Sequence, residues 1–290
     1  MPSTRFLLTY VLALFAVSWT FQLTGIALTG DISSEAATVW LVASMVSPLL
    51  VTLVFLRLNK NLRPWLLWKP SAKLLFPSLL AVLIPIGIAF GVLLMVQALG
   101  YGQSGWFDFT RSRVTVSGGP FLLGLGTQSW LVFTVNIVST GAAFAILNAF
   151  IASGEEFAWR GLLQPLLTDQ FGLVKGITLL GLIWSFWHLP ALLNGYNYPE
   201  TPVLGGFLLF PIRMVATSFF YAWLTVKSRS FIPAAIAHGA GNGIQQGIVS
   251  NLQLSVSALH ENLLTIALTV LVGLIFLALL LRGGKTATSL

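Results

Sequence analysis

Three short clusters in the second half of the sequence hold side chains that can do chemistry. The first, Glu155-Glu156-Phe157-Ala158-Trp159-Arg160-Gly161, sets two carboxylates side by side with an arginine four residues beyond the second. On a helix Glu156 and Arg160 share a face and can pair. Glu155 is turned about 100° away, so one carboxylate is tied up and the other is free to point elsewhere. The second, Trp184-Ser185-Phe186-Trp187-His188-Leu189-Pro190, puts an imidazole deep in an apolar run just before a proline. The third, His238-Gly239-Ala240-Gly241-Asn242, sets an imidazole and an amide on one helical face. The small residues between them would let a backbone or a substrate approach closely.

Each cluster has an ordinary structural account: an ion pair at a helix start, a buried histidine bonded to a neighbouring helix, and polar glue between packed helices. Together they supply a carboxylate, two imidazoles and an amide. A carboxylate beside a histidine can hold and deprotonate water. A second histidine and an amide N–H can stabilise the oxyanion of an attacked carbonyl. The set Glu155, His188 and His238 would equally suit a zinc ion through two nitrogens and one oxygen. There is no HExxH helix, the usual local signature of such a zinc site.

The elements that position these residues are membrane spans. The 290 residues are 56% hydrophobic and only 8% charged, too few charges to cover a soluble domain, which carries about 25%. Apolar runs at 6–28, 37–58, 74–99, 129–152, 174–194, 204–226, 231–250 and 262–281 predict an all-α, polytopic bundle of about eight spans forming one integral membrane domain over 1–290. The first run is too long for a signal-peptide core and is read as a retained span. Arg5, Arg57, Lys60, Arg63, Lys69, Lys73, Lys227, Arg229, Arg282 and Lys285 fall on one side when spans alternate. Asp31, Glu35, Asp108, Glu200 and Glu261 fall on the other, with Arg111 and Arg113 against the trend. The positive-inside rule then places both termini in the cytoplasm. The net charge of +7 follows from this loop pattern and does not call for nucleic acid. Cysteine is absent, which removes thiolate nucleophiles and Cys-based zinc sites. The 100–128 connection reads as a surface loop or interfacial segment. Arg213, a cation inside a span, calls for a carboxylate or carbonyl partner and is read as a structural pair. His260, in a loop, is read as solvated. Gly87 and Gly91 have the small-xxx-small spacing of close helix packing.

In motif order and interval the chain resembles the CPBP (CAAX protease and bacteriocin-processing) intramembrane peptidases, also called the Abi or type II CAAX prenyl endopeptidase family. The resemblance covers a core of roughly 150–245 and rests on Glu155-Glu156 with Arg160, Trp184 with His188, and His238 with Asn242. The second motif usually begins with phenylalanine. Trp184 in its place is expected to alter packing and not chemistry. The resemblance implies intramembrane hydrolysis of a peptide bond in a membrane-anchored protein or peptide, a prenylated CAAX-type substrate being one such case. Glu155 would be the general base, His188 would orient the water, and His238 with Asn242 would form the oxyanion site. Glu156, Arg160 and Trp184 would be supporting residues. The family has been described both as metallopeptidase and as metal-independent. The reading adopted is no required cofactor, with zinc on Glu155, His188 and His238 as the alternative. The expected location is the plasma (cytoplasmic) membrane. A non-catalytic scaffold or immunity factor of the same fold and a proton-coupled transporter are the competing functions.

Overall fold

The computed structural model describes residues 3–32 and 34–283, so Lys285 lies outside the described residues. The chain opens with a helical hairpin, α1 (Thr4–Thr29) and α2 (Glu35–Leu58). Ser3 and Ser34 cap the two N-termini by accepting from Phe6 N and Ala37 N, and Gly30 closes α1 in the left-handed conformation. Inside this apolar pair the hydroxyls of Tyr10 and Thr52 bond at 2.5 Å and those of Ser18 and Ser47 at 2.6 Å. Such bonds fix helix register where lipid offers no hydrophobic drive for association.

α3 (Leu75–Ala98) leads into strands β1 (Gly102–Ser104), β2 (Phe107–Phe109), β3 (Arg113–Val116) and β4 (Gly126–Ser129). The 100–128 connection is therefore not an open loop: β2, β3 and β4 form an antiparallel sheet with Phe107 opposite Val116 and Val114 opposite Gln128. Val114, Val116 and Phe107 are buried, and Phe107 packs edge-on against Phe133 of the next helix at 5.2 Å. That alternation anchors the sheet to the bundle.

α4 (Trp130–Glu156) does not end near residue 152. It runs through a widened π-helical turn, Phe157–Leu163, into α5 (Gln164–Phe171), so the first cluster lies within a continuous rod. α6 (Leu173–Trp187) and α7 (Leu189–Leu193) are separated at His188. α8 (Pro202–Leu204) passes through a π turn, Gly205–Leu209, into α9 (Phe210–Ser228). α10 (Ile232–Ala240) passes through the π turn Gly241–Gln245 into α11 (Gln246–Ser250). β5 (Leu252–Leu254) then pairs with β1, and α12 (Ala258–Arg282) closes the chain.

All eight expected apolar runs become helix, but six continuous stretches are long and apolar enough to cross a membrane: Thr4–Thr29, Glu35–Leu58, Ala72–Ala98, Trp130–Phe171, Pro202–Ser228 and Ala258–Arg282. The other two fall short for different reasons. α6 has 15 residues before the break at His188, about 22 Å of helix, against a hydrocarbon core of about 30 Å. The run at 231–250 stays helical through its glycine-rich π turn, but His238, Asn242, Gln245 and Gln246 make it less apolar. Irregular backbone at membrane depth is tolerated where it is buried in protein or lines a cavity, and the break and the π turn both carry motif residues.

Close approach of helices sets where those residues stand. A Cβ on Gly239 would lie 2.4 Å from Ala145 O and 2.7 Å from Ala149 N, so α10 rests on α4 backbone to backbone. A Cβ on Gly154 would lie 2.5 Å from Met45 O on α2. Of the Gly87 and Gly91 pair, Gly91 meets Leu268 of α12 while Gly87 faces open space. Gly239→Ala should therefore destabilise the bundle by about 1–3 kcal/mol through overpacking, and Gly87→Ala should be neutral. Thermal unfolding in detergent checks this; equal midpoints for the two variants would contradict it.

Candidate active site

Glu156 is fully buried and shared. Arg160 Nη1 lies 3.0 Å from its Oε2 and 3.1 Å from its Oε1, and His238 Nδ1 lies 2.9 Å from Oε1. The expected Glu156–Arg160 pair is present, and the same carboxylate also reaches 82 positions along the chain to the third cluster. Arg160 spends Nη2 on Ser218 Oγ of α9 at 3.1 Å, and its guanidinium lies 4.1 Å from the Trp184 ring centroid and 4.9 Å from that of Tyr221. The cation is thus held by one carboxylate, one hydroxyl and two aromatic faces. Because a carboxylate only accepts, His238 keeps its proton on Nδ1 toward Glu156 and turns Nε2 away from it.

Glu155 points to a different environment, as its angular offset predicts. Its Oε2 accepts from Trp184 Nε1 at 2.8 Å and from Trp159 Nε1 at 3.3 Å, while Oε1 takes no hydrogen bond among the described residues. Trp184 therefore does more than pack. It donates to the carboxylate, which phenylalanine cannot do, and this corrects the expectation that the tryptophan leaves the chemistry untouched.

His188 occupies the break between α6 and α7 with φ −83° and ψ −4°. Its Nδ1 donates to the Trp184 carbonyl at 2.8 Å, which fixes the tautomer and leaves Nε2 as the free nitrogen. The break frees the Trp187 carbonyl, and α1 satisfies it: Trp19 Nε1 donates at 2.9 Å and Gln22 Nε2 at 3.1 Å. Gln22 Oε1 in turn accepts from Ala191 N at 3.4 Å. The first span, which carries no motif, is thus a support of the site. The legible signal was a glutamine in an otherwise apolar run.

Glu155, His188, His238 and Asn242 all line one chamber of about 120 Å³, together with Trp184 and Tyr221. Asn242 lies in the π turn and makes no side-chain hydrogen bond among the described residues. Arg213 also lines the chamber. Both ion pairs among the described residues belong to Glu156, and the polar group that Arg213 reaches is the Tyr198 hydroxyl. His260 is exposed, as expected, with its ring edge-on to Tyr101 at 5.0 Å.

A tetrahedral zinc site needs three protein donors about 2.0–2.2 Å from one point. Among the described residues no group of three or more His, Asp or Glu side chains could hold one ion. Glu155 Oε2 is committed to indoles and both Nδ1 atoms are tied back, which leaves Glu155 Oε1 and the two Nε2 atoms as the available donors. As they stand, these side chains are not gathered around one ion.

Removing Glu156 would leave Arg160 buried with only Ser218 as a polar partner. Glu156→Ala should cost about 3–5 kcal/mol, and Glu156→Ala with Arg160→Met should recover part of it. Thermal unfolding of the purified protein reads both; an unchanged midpoint for the single variant would contradict the assignment.

Residues 135–244 match the family model described as type II CAAX prenyl endopeptidase Rce1-like. A relative from Methanococcus maripaludis, CAAX prenyl protease 2, is 26% identical over 234 residues, covering 78% of this chain and 79% of its own length. The matched interval begins within α4 and ends in the π turn of the third cluster, so it spans every residue of the three motifs. Over residues 135–244 the chain is thus similar to the Rce1-like type II CAAX prenyl endopeptidases, in a polytopic helical membrane bundle.

Proposed function

We propose that this chain cleaves a peptide bond in a membrane-anchored peptide or protein by attack of a water activated at Glu155. The observation that carries this reading is the asymmetry of the Glu155 carboxylate. One oxygen is fixed by two indole N–H groups, and the other is unbonded in a chamber shared with two imidazoles. A carboxylate held in this way is oriented without being consumed.

In the proposed reaction a water is held between Glu155 Oε1 and His188 Nε2. Glu155 takes one water proton as the oxygen attacks the scissile carbonyl carbon. The carbonyl oxygen becomes an oxyanion and receives hydrogen bonds from the Asn242 amide N–H and His238 Nε2–H. With Nδ1–H spent on Glu156, a donor at Nε2 requires the imidazolium, whose charge the Glu156 carboxylate balances. When the C–N bond breaks, the proton held by Glu155 passes to the leaving amine. General-base assistance contributes about 10²–10⁴-fold, and an oxyanion donor about 10²–10³-fold. No step requires a metal. Both termini are proposed to be cytoplasmic, in the plasma membrane, on the strength of the loop charges. An apolar chamber wall within a bundle suits a substrate whose lipid anchor or hydrophobic tail lies in the bilayer.

Purified protein is to be incubated with a lipidated C-terminal peptide library and the products read by mass spectrometry. Glu155→Gln and His188→Ala should each lower cleavage by at least about 100-fold while the protein still inserts and folds. Thorough chelation should leave wild-type cleavage intact. Loss on chelation with recovery on zinc addition would overturn the metal-free mechanism, and undiminished turnover in Glu155→Gln would overturn the proteolytic assignment. Trp184→Phe should keep the fold and lower kcat about 10-fold with little change in KM, the value of one hydrogen bond to a charged group.

A further inference from the structure

Arg111 and Arg113, the two basic residues that run against the loop-charge pattern, are exposed at the turn between β2 and β3. That turn lies at the level of the α4 N-terminus. Arg113 pairs with Ser129, the cap of α4. Trp130 Nε1 donates to the Thr110 carbonyl at 3.2 Å, and the Trp130 ring stacks on Phe109 at 5.7 Å. The opposite end of the sheet runs down beside the bundle. Phe107 stacks there on Phe90, well inside α3, at 5.8 Å. The 117–125 connection reaches Asn136, about 9 Å further along α4 than Trp130 at about 1.5 Å per residue. Two observations identify lipid as what surrounds this connection. Its side chains are apolar and open: Phe121 is 92% and Leu125 71% exposed, and Leu131 and Val135 on the first two turns of α4 are exposed with them. Its backbone is served from within. The Leu123 carbonyl accepts from Gln128 Nε2 at 2.8 Å and Asn136 Nδ2 at 3.1 Å, and the Gly124 carbonyl accepts from Gln128 Nε2. Water would satisfy such carbonyls unaided, whereas irregular backbone at membrane depth needs partners from the protein.

We propose that this sheet is a lipid-docking surface: Phe121, Leu122 and Leu125 sit among acyl chains, and Arg111 and Arg113 bind the phosphate of an anionic phospholipid. The spacing suits both contacts. β3 separates the two ends of the sheet by about 10 Å, at about 3.3 Å per residue. Trp130, at the upper end, has the position of an interfacial aromatic. A guanidinium takes phosphate oxygens through paired N–H donors. Between the two ends the outward face is polar, with Asp108 and the Thr115–Thr127 hydroxyl pair at 3.1 Å, as the headgroup zone requires. Two cations against one acid leave that face positive. The two arginines that the positive-inside rule leaves unexplained thus have a partner in the leaflet beside them. Such a surface anchors the bundle whatever the chemistry at Glu155.

The chain has no cysteine, so single labels can be placed on the full-length protein. Phe121→Cys and Thr127→Cys, each carrying a bimane label, are to be reconstituted in vesicles of phosphatidylcholine with phosphatidylglycerol. The label at position 121 should be quenched by lipids brominated on their acyl chains and shielded from aqueous iodide. The label at position 127 should show the reverse. Equal iodide quenching at the two positions would overturn insertion and leave the apolar tip as a contact for a second protein. For the headgroup site, detergent-solubilised protein is titrated separately with phosphatidylglycerol and phosphatidylcholine, and bound lipid is counted by native mass spectrometry. Arg111→Gln combined with Arg113→Gln should weaken one phosphatidylglycerol site about 10- to 30-fold and leave phosphatidylcholine binding as it was. Both side chains are exposed, so the double variant should unfold at the wild-type temperature. An unchanged phosphatidylglycerol isotherm in the double variant would overturn the headgroup site. Displacement of the bound lipid by glycerol phosphate at matched concentration would assign the arginines to a soluble anion and overturn the lipid assignment.

Discussion

The site depends on one buried carboxylate. Glu156 neutralises Arg160 and holds His238, and through Arg160 it also reaches Ser218, so α4, α9 and α10 meet at a single charge. In a low-dielectric interior neither partner can be removed without leaving a charge uncompensated. The aromatic faces of Trp184 and Tyr221 close over the guanidinium, which excludes water from the pair. The helices carrying the three clusters are therefore fixed to one another by electrostatics as well as by packing.

The irregular helices follow from what they carry. A straight helix satisfies its own backbone and presents side chains at fixed intervals. A break frees carbonyls and re-aims the side chain at the break. At His188 the freed Trp187 carbonyl is claimed by Trp19 and Gln22, so the first span compensates for irregularity in the sixth helix. In α10 the cost is limited differently: Gly239 lets the helix rest directly on α4, and the π turn beyond it carries Asn242 into the chamber. π turns of this kind recur at functional sites because they alter side-chain direction without ending the helix.

The two neighbouring glutamates show how one turn of helix assigns different work to the same chemistry. Glu156 faces the bundle and finds cations. Glu155 faces the chamber and finds two neutral donors, Trp159 and Trp184, which orient it without neutralising it. The orienting tryptophans come from two different helices, α6 and the π turn after α4, so the position of the carboxylate reports the packing of both.

Composition and run length were enough to determine an integral membrane helical bundle, because the bilayer imposes a length and an apolarity that few other structures satisfy. The i, i+4 spacing was enough to predict the Glu156–Arg160 pair and the separate direction of Glu155, because helical rotation is local. The sequence did not determine that the 174–194 run breaks at His188, since hydropathy scores a broken run and an intact one alike. Nor did it reveal the small β-sheet after α3, the bond from Trp184 to Glu155, or the service of Gln22 to the His188 break. Each of these is set by which distant segment arrives beside which atom. Hydrogen bonds and ion pairs act over a few ångströms, whereas the residues they join lie tens or hundreds of positions apart, so only the packed tertiary structure could decide them.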